Sequence, residues 1–533
     1  MVSSKDKNPS TAKGTEQADS KIQSRRTVLK ALAGVPVLGL FGWEVVKSIT
    51  YKNTKKNRVI KELGLENLQM PVVLDVPAGN TGDLLRLGII GFGNRGNQLA
   101  KSLGFTNPTD IKEMETNKTL ADWLEQEYLN VALVGICDVF DLHAERGLAT
   151  AQNDIRPGGD KAVKLPVKRY RTYHDMLADK DIDAVIIATP DHHHAQITVD
   201  AVKAGKHVYC EKSIALSEDE LNAVYDTVKN GNVVFQLGHQ IPQNVIFRQA
   251  REIMQKDILG KITLIETTTN RNTADGAWIR HLDSNGNPKP GDEKSIDWLQ
   301  WLGSRPYVPF SIERFYSWTK WFDYDLGMIG QLFTHEFDAV NQLLRIGIPK
   351  YAVSSGGIYY WKDDRDMPDV LHCAFEYPDR ELTLTYSANL ACSKDRGRVF
   401  MGHDATMELG ASLSITADYD STRYKKNIEA GFIDTSVPML AIQPGSGGKV
   451  DAVTSATEKY YAARGLTTTN INGREVDVTH LHLREWINCI RNGGTPSANI
   501  ERTFEEGVAC LMAHKSYLEH RRVEWDPVNR KIV

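Results

Sequence analysis

A glycine-rich turn between a strand and a helix constrains this chain more than any other feature. The apolar run Leu85–Ile90 leads directly into the sequence GFGNRG, and a helical pattern follows. This spacing is informative because a strand precedes it and a helix follows it at the start of a domain. The first glycine permits a tight turn, the second lets the backbone approach a pyrophosphate, and the third lets helix and strand pack closely. We therefore expect a dinucleotide-binding turn at the N-terminus of a helix, formed by Gly91, Phe92, Gly93, Asn94, Arg95 and Gly96.

Strand-like and helix-like segments continue to alternate after this turn. The buried runs VALVGICDVF, DIDAVIIATP, KHVYCEK and NVVFQLGHQ lie among helical patterns. Such alternation is typical of a doubly wound, mostly parallel sheet. The chain has 533 residues, which is too long for one ordinary domain. We expect a Rossmann domain over residues 85–213 and a second domain over residues 214–533.

An acidic residue at the end of the second strand indicates which dinucleotide is bound. Asp138 closes the run VALVGICDVF, and an acid there bonds the ribose 2′-hydroxyl and favours NAD over NADP. Residues 104–130 lengthen the usual distance between the turn and this acid, and we interpret them as an inserted surface loop with a helix. NADP remains the alternative cofactor, and an ordinary strand-end acid is the alternative role of Asp138.

A lysine stands at the end of another buried strand. Glu211 and Lys212 follow the run KHVYC, and the carboxyl ends of parallel strands line the ligand crevice. A lysine that is partly withdrawn from water can act as a proton shuttle. The alternative interpretation is a surface ion pair between the two side chains.

Three motifs in this order resemble the Gfo/Idh/MocA oxidoreductase family. They are GIIGFGNRG, ATPDHHHA and CEKSIALS, and the likeness extends over about residues 85–525. It implies an N-terminal Rossmann domain with a doubly wound parallel sheet, followed by an α+β domain with an open-faced, mostly antiparallel sheet. It also implies an NAD(P)-dependent oxidoreductase that transfers a hydride to or from a ring hydroxyl of a sugar, cyclitol or glycoside, and assembly into a homo-oligomer.

The resemblance assigns roles to residues of the first domain. The family's catalytic lysine falls on Lys212 and its partner glutamate on Glu211, while the proline that usually follows is Ser213 here. The TPDHHHA loop places Thr189, Pro190 and His194 on the nicotinamide side of the cofactor. Three consecutive histidines cannot all face one ion, and the six scattered cysteines form no C-x-x-C pair, so we expect no metal site and interpret the cysteines as buried free thiols.

The family's second motif shows a departure. His335 falls on the catalytic histidine, but Gln331 stands four residues earlier, where the family commonly has an aspartate. Glutamine cannot accept a proton, and it leaves His335 without a carboxylate to orient it. Asp338 lies on the same helical face and is our candidate replacement. A satisfied core histidine is the alternative interpretation of His335.

Strand-like runs after Gly260 indicate a mixed or antiparallel sheet, interrupted by a long polar and aromatic insertion. In that insertion, Arg271, Trp278 and Arg280 suit a sugar, because aromatic faces and planar donors pair with its apolar and hydroxyl faces. The same residues also suit a protein interface.

The first 50 residues resemble a twin-arginine export signal. Arg25 and Arg26 precede the uncharged run Ala31–Trp43, which is too short for an ordinary spanning helix but suits a signal. The run is followed by no good cleavage site, so a retained membrane anchor is the alternative. We interpret residues 51–84 as a linker and expect an exported, periplasmic protein. The net charge of −4 shows no basic excess, so we expect no nucleic-acid partner.

The signal and the glycine turn together predict a tightly held cofactor. As generally understood, the twin-arginine route exports folded proteins, so an enzyme that loads NAD in the cytoplasm needs this route. Two other functions remain open. One is an NAD-dependent enzyme that cleaves glycosides by oxidation and elimination, and the other is a non-catalytic carbohydrate-binding protein, which Gln331 favours.

Overall fold

The computed structural model describes residues 58–61, 63–65, 82–152, 155, 165–274, 291–394, 396–442, 467–471 and 474–533. The segment with Arg25 and Arg26, most of the linker, and the residues Trp278 and Arg280 lie outside the described residues. The expectations for those segments therefore stay predictions.

Parallel strands form the first sheet. They are β1 (Leu85–Ile90), β2 (Val131–Cys137), β3 (Lys168–Tyr170), β4 (Ala184–Ile187), β5 (His207–Cys210) and β6 (Phe235–Leu237). Within the described residues this sheet has six strands in the order β3-β2-β1-β4-β5-β6. The order switches direction between β1 and β4, which opens a crevice at the carboxyl ends of these strands. The expected doubly wound sheet is confirmed.

Helices cover both faces of this sheet, and for that reason its central strands are apolar throughout. One face packs on Leu99 of the helix after β1 and on Trp486 of a helix near the C-terminus. The other face packs on Met176, Ile197 and Val224. The helices of this half are α1 (Asn94–Ser102), α2 (Pro108–Asn117), α3 (Leu120–Leu124), α4 (Asp141–Ala151), α5 (Tyr173–Ala178), α6 (His194–Lys203) and α7 (Glu218–Asn230). The insertion at 104–130 therefore holds two helices, α2 and α3.

The second sheet is mixed and mostly antiparallel. Its strands are β7 (Ile262–Asn270), β8 (Tyr351–Gly357), β9 (Val370–Tyr377), β10 (Leu382–Asn389), β11 (Arg398–Gly402), β12 (Ala405–Leu409), β13 (Leu413–Ala417), β14 (Leu440–Ile442), β17 (Val523–Asp526) and β18 (Lys531–Ile532). A separate hairpin joins β15 (Thr468–Ile471) to β16 (Arg474–Asp477). In the large sheet β7 and β10 are parallel, and the other pairs are antiparallel. Buried side chains alternate with partly exposed ones along β10, as expected for a sheet with one open face.

Further helices pack between the two sheets and around the second one. They are α8 (Val245–Gln255), α9 (Trp298–Leu302), α10 (Ile312–Tyr316), α11 (Thr334–Leu344), α12 (Lys425–Glu429), α13 (Val478–Asn492) and α14 (Ile500–Glu519). A short π-helix, Ile329–Phe333, leads directly into α11.

The two halves of the chain share structure across the expected boundary at residue 213. Strand β6 lies beyond that boundary but pairs with β5 in the first sheet. Helix α13 comes from the far end of the chain and packs Leu483, Trp486 and Ile487 against the first sheet. The first domain therefore includes segments that the expected range leaves out.

All six cysteines are free thiols in the described structure, and four of them are buried. A search of the described residues found no helix with the length and apolar character needed to cross a membrane.

Candidate active site

The turn after β1 has the close packing that its glycines predict. Gly91 adopts a φ of +87°, in the region that favours glycine, and a Cβ on Gly96 would lie 2.1 Å from the carbonyl oxygen of Gly91. Gly93 is the N-cap of α1, and its missing Cβ would find one described neighbouring atom within 4 Å, on His143. No described side chain caps this helix, so its first amide groups are available to an anion.

A cavity of about 490 Å³ opens at this turn, within the range typical of ligand sites. One side is formed by the glycine turn, Asp138 and the loop after β4, and the other by aromatic residues of the second half of the chain. Among the predicted cofactor residues, the cavity is lined by Gly91, Gly93, Asn94, Arg95, Asp138, Thr189 and Pro190.

Asp138 is tied to the glycine turn. Its carboxylate accepts hydrogen bonds from the backbone N–H of Phe92 at 2.5 Å and of Phe140 at 2.8 Å, and His143 Nδ1 lies 3.7 Å away. Burial acts to raise the pKa of Asp138, but His143 and these two N–H groups outweigh it, so the pKa falls below its usual value. Asp138 is therefore an ionised acceptor in the cavity wall, and Phe92 contributes through its backbone while its ring is buried.

A segment from the second half of the chain crosses the mouth of the first sheet next to Asp138. Asp297 donates its backbone N–H to Val139, and Asp141 donates its backbone N–H to Ser295, at 2.8 and 2.9 Å. We call residues 292–302 the strap. Its end is fixed to the loop after β4, because His192 and His193 both bond the carbonyl oxygen of Trp301 through Nε2, at 2.7 and 2.8 Å.

Aromatic side chains of the strap and the chain beyond it complete the cavity wall. Trp301 is 2% exposed and stacks on Trp298 at a centroid distance of 4.5 Å. The wall was not identified from the sequence, although the pattern WLQWLG was a signal for it. Its members are Trp301, Phe315, Tyr316 and Trp318.

The loop after β4 is fixed by its histidines. Burial lowers the pKa of His193 to about 4 and that of His192 well below its usual value, so both rings are neutral donors to Trp301. His194 is fully buried, and its two ring nitrogens lie 2.9 and 2.7 Å from the carbonyl oxygens of Thr189 and Ser213. His194 is absent from the described cavity wall, contrary to its expected place beside the cofactor, because both of its ring nitrogens hold backbone carbonyls.

Lys212 lies two residues after the end of β5 and is buried against the π-helix. Its Nζ donates to Oε1 of Gln331 at 2.9 Å and approaches the carbonyl oxygen of Gly330 at 3.5 Å. The peptide bond between Lys212 and Ser213 is cis. The side chain at 331 therefore contacts the lysine through a neutral amide.

Gln331 also joins two buried carboxylates. Its Nε2 donates to Asp191 at 2.9 Å and to Asp325 at 3.0 Å, and Asp191 also accepts from the backbone N–H of Ser213 at 3.1 Å. Burial and the neighbouring Asp191 raise the pKa of Asp325 well above its usual value. Sequence reasoning missed both carboxylates as partners of position 331. Asp325 precedes Gln331 by only six residues, but Asp191 reaches it only through the fold.

The carboxylate of Glu211 pairs with Arg95, whereas the amine of Lys212 bonds Gln331. Its Oε1 accepts from Nε of Arg95 at 2.8 Å, and this ion pair is largely buried. Arg95 is thereby fixed between the glycine turn and the strand end, and it also donates to Gln98 and Gln240.

His335 begins α11 and contacts another histidine. Its Nδ1 lies 3.2 Å from Nδ1 of His239, and Nε2 of His239 lies 2.5 Å from Oε2 of Glu506. Burial lowers the pKa of His335 well below its usual value, so the ring is neutral. The carboxylate in contact with His239 is that of Glu506, in α14 near the C-terminus.

Asp338 does not take the orienting role that we expected for it. Both of its carboxylate oxygens accept from Nε2 of Gln342 at 3.0 Å, one turn further along α11. Its side chain leans along the helix towards Gln342, and His335 instead faces His239.

Arg271 is buried at the end of β7 and is absent from the described cavity wall. The search of the described residues found no group of histidines, cysteines and carboxylates that could hold a metal ion.

The residues of the cavity fit an NAD molecule. The open backbone at Gly93 and the uncapped start of α1 form a cradle for a pyrophosphate. Asp138 offers an ionised acceptor at the end of β2. The hydroxyl of Thr189 is buried without a hydrogen-bond partner among the described residues, at a position where a bound cofactor would supply one.

Comparison with known proteins agrees with this geometry. Residues 85–239 match the family model described as an oxidoreductase family with an NAD-binding Rossmann fold. Residues 85–239 therefore form an NAD-binding domain of the Gfo/Idh/MocA type. This match extends through β6 and ends at His239, beyond the boundary expected at residue 213.

Curated relatives are similar to this chain over part of their length. The levoglucosan dehydrogenase of Pseudarthrobacter phenanthrenivorans is 29% identical over 185 residues, which cover 35% of this chain and 41% of that protein. The myo-inositol 2-dehydrogenase of Thermotoga maritima is 22% identical over 150 residues, covering 26% and 45%. The chain thus spans less than half the length of these relatives.

Solved structures share the fold of both domains. A levoglucosan dehydrogenase in complex with NADH and levoglucosan has a TM-score of 0.53 at 15% identity, covering 83% of this chain and 99% of that one. The WlbA dehydrogenase from Bordetella pertussis, in complex with NADH and UDP-GlcNAcA, has a TM-score of 0.51 at 12% identity, covering 83% and 99%. At these identities the likeness shows the fold alone.

Proposed function

We propose that this chain is an NAD-dependent oxidoreductase that transfers a hydride to or from a ring hydroxyl of a sugar, cyclitol or glycoside. One observation carries the proposal. The amine of Lys212, at the carboxyl end of β5, is linked through Gln331 to Asp191, which directly follows the cavity residue Pro190. This link supports a role for Lys212 in proton transfer to or from a substrate bound beside the dinucleotide.

The chain's own residues would move the proton of the substrate hydroxyl. When NAD is bound, it supplies the hydride acceptor on its nicotinamide ring. Lys212 is held by two oxygen acceptors, one of them the neutral amide of Gln331, and the carboxyl groups of Asp325 and Glu506 also interact with its charge. The free amine form of a lysine is the one that accepts a proton, and a full charge next to it would favour the ammonium form instead. His335 would hold the same hydroxyl by a hydrogen bond.

The relatives support the substrate class. Two of them are named as dehydrogenases of levoglucosan and of myo-inositol, compounds with hydroxyl groups on a ring. The similarity covers only 35% and 26% of this chain. The class of substrate is therefore proposed, and the individual sugar is left to experiment.

We also propose that the cofactor is held tightly. The strap pairs with the loop after β2 by backbone hydrogen bonds and is fixed at Trp301 by two histidines. For a dinucleotide to leave a site closed on that side, these contacts must break. A cofactor that is retained must be reset by a second substrate or by the same reaction cycle.

Tight retention supports the further proposal that the protein is exported after it has folded around NAD. The arginine pair at positions 25 and 26 resembles a twin-arginine signal. Retention in a membrane through the same segment is the alternative. Fractionation of the producing cells, with Arg25→Lys and Arg26→Lys together as the control, distinguishes export from cytoplasmic residence.

The test of the proposed reaction uses the bound cofactor as its own reporter. The purified full chain is mixed with a panel of sugars, cyclitols and glycosides, and absorbance at the wavelength of the reduced nicotinamide is recorded. Reduction by a member of the panel supports the proposal. Release of free sugar without net reduction would favour the glycoside-cleaving reaction, and sugar binding without either change would favour a non-catalytic binding protein.

A further inference from the structure

Three buried titratable side chains, those of His335, His239 and Glu506, contact one another in a row. The Nδ1 atoms of His335 and His239 lie 3.2 Å apart, and Nε2 of His239 lies 2.5 Å from Oε2 of Glu506. The three residues are 4%, 1% and 3% exposed. They come from α11, from the turn after β6 and from α14, so the fold alone brings them together.

The number of protons held by His239 and Glu506 sets the tautomer of His335. When Glu506 is ionised and His239 is neutral, the carboxylate keeps the His239 proton on Nε2. Nδ1 of His239 is then an acceptor, so Nδ1 of His335 must be the donor across the 3.2 Å contact. Nε2 of His335 then carries no proton and acts as an acceptor.

One added proton reverses these roles. If the His239–Glu506 pair takes up a proton, His239 carries hydrogen on Nδ1 whether the added charge rests on the imidazolium or is neutralised on the carboxyl. Nδ1 of His335 must then accept, and its own proton moves to Nε2. The same ring therefore becomes a donor at Nε2 while staying neutral.

We propose that His239 and Glu506 are positioning residues that set the tautomer of His335, and that one proton taken up by this pair converts Nε2 of His335 from an acceptor to a donor. The catalytic consequence rests on the proposed function. Oxidation of an alcohol releases one hydroxyl proton as the hydride leaves, and Nε2 of His335 in its acceptor form would receive that proton in place of Lys212. Reduction of a ketone needs a donor to the carbonyl oxygen, so the pair would match the tautomer to the direction of reaction.

The electrostatics of the cluster agree with this arrangement. Burial lowers the pKa of His239, but Glu506 and Asp338 outweigh it and raise the pKa above its usual value. Burial holds the pKa of His335 well below its usual value, so the added proton stays with the pair. The charged and titratable groups that act on the two histidines are Glu506, Asp338, Lys212, Arg95, Arg398 and His482.

The decisive experiment observes the tautomer directly. The full chain is labelled with ¹⁵N-histidine, the signals of His335 are identified by their loss in His335→Gln, and the ring nitrogen that bears hydrogen is followed from pH 5.5 to 9. The proposal expects the proton on Nε2 at low pH and on Nδ1 at high pH. A His335 proton that stays on one nitrogen across the whole range overturns it, without recourse to any variant of the pair.

Two variants test the source of the switch. In Glu506→Gln the anion that stabilises the His239 imidazolium is gone, so the transition should move down by at least about one pH unit. Glu505→Gln is the matched control, because this neighbouring carboxylate bonds Asn341 and Arg502 and faces away from the cluster. An unchanged transition in Glu506→Gln, or an equal shift in Glu505→Gln, contradicts the proposal.

Kinetics separate this inference from the proposed function. If the chain oxidises a sugar, kcat/KM for oxidation should fall on the acid side with the midpoint of the tautomer change, and this limb should move in Glu506→Gln. If the acid limb of kcat/KM has a midpoint different from that of the tautomer change, the proposed catalytic role of the His335 tautomer is overturned. If the chain shows no dehydrogenase activity, the proposed function fails, while the NMR titration still decides the tautomer.

Discussion

Gln331 holds the amine of Lys212 through its amide oxygen and two buried carboxylates through its amide nitrogen. The two carboxylates thereby fix the orientation of the amide, since a flipped amide would point its N–H₂ group at the ammonium or amine and its oxygen at Asp191 and Asp325. A neutral side chain at position 331 therefore suits its surroundings. It stands between the amine of Lys212 and the carboxyl groups of Asp191 and Asp325.

The first prediction concerns Gln331→Asp. This change places a third carboxylate beside Asp191 and Asp325, and one lysine cannot neutralise all three. We expect the free energy of unfolding at pH 8 to fall by about 3 kcal/mol, the typical cost of an uncompensated buried charge. Urea unfolding at pH 8 and pH 5 measures it, and the loss should shrink at pH 5, because burial and Asp191 raise the pKa of Asp325 well above its usual value.

Adding Asp325→Asn to Gln331→Asp restores the original number of carboxylates and serves as the control. The double variant should recover most of the lost stability. Equal stability of Gln331→Asp and the native chain at pH 8 would show that the network does not need a neutral residue at 331.

The second prediction concerns Lys212→Met, which keeps the length of the side chain and removes its amine. General acid–base catalysis typically contributes about 10²- to 10⁴-fold, so kcat should fall by that factor while the content of bound dinucleotide stays unchanged. The matched control is Lys206→Met, another buried lysine near β5, whose Nζ bonds the carbonyl oxygens of Asp179 and Ile182. A loss of kcat of the same size in both variants would remove the special role of Lys212.

At the scale of elements, the strap determines how the cofactor site is closed. It forms hydrogen bonds with the loop after β2, and its last helix presents Trp301 to the cavity. The bonds between the strap and the first domain are largely made by backbone groups. Substitutions of aromatic side chains should therefore remove part of the cavity wall and leave the strap in place.

The third prediction is that Trp301→Ala releases the dinucleotide faster. Truncation of a buried tryptophan typically costs about 3–5 kcal/mol, and here part of that loss falls on contact with the cavity. We expect the rate of exchange against labelled NAD to rise by at least about 10-fold. Phe310→Ala is the control, because Phe310 packs edge-on against Trp298 outside the cavity. Equal exchange rates in the two variants would show that the aromatic wall does not retain the cofactor.

Elements with a local sequence signature were predictable. The glycine turn, the buried strands and the lysine at the end of β5 each depend on a few consecutive residues, and the structure places them as expected. The strap was part of a stretch that was read as sugar-binding or interfacial. Its pairing with the loop after β2 was not predictable, because an isolated backbone bridge leaves no periodic pattern in the sequence.

The partners of the catalytic candidates were the hardest part of the site to foresee. Asp338 was favoured as the partner of His335 because it is three residues away on the same helix. The structure instead uses His239 and Glu506, which are distant in sequence and meet only after both sheets and α14 have packed. Helical spacing shows which side chains share a face, but it does not show which face a neighbouring helix approaches.

On the scale of the whole molecule, the two domains share structural elements. Helix α13 packs Trp486 into the core of the first sheet, and α14 supplies Glu506 to the cluster around His335. The C-terminal helices therefore complete both the core of the first sheet and the candidate site. The expected boundary at residue 213 leaves these helices out of the first domain.

The fourth prediction is that acid destabilises the native chain through neutral, partly buried histidines. Burial lowers the pKa of His193 and His514 to about 4, whereas the unfolded chain binds a proton at each near pH 6.5. Between these values the unfolded state binds more protons, so the free energy of unfolding falls as the pH drops from 7 to 4.5, by up to about 3 kcal/mol for each group.

His514→Gln isolates one of these contributions. This variant should lose less stability than the native chain between pH 7 and pH 4.5, as measured by urea unfolding at each pH. The exposed His372→Gln serves as the control and should follow the native curve. An identical pH dependence in His514→Gln and the native chain would contradict the assignment.

The central claim is that this molecule is built around a retained NAD, and the most direct test is to ask what it carries. The full chain is purified without added cofactor and denatured, and the released small molecules are identified by mass and ultraviolet absorbance. We predict NAD or NADH at about one molecule per chain, with little NADP because Asp138 is an ionised acceptor at the ribose position. A protein that releases no dinucleotide, and that binds neither NAD nor NADP when they are supplied, would contradict the account.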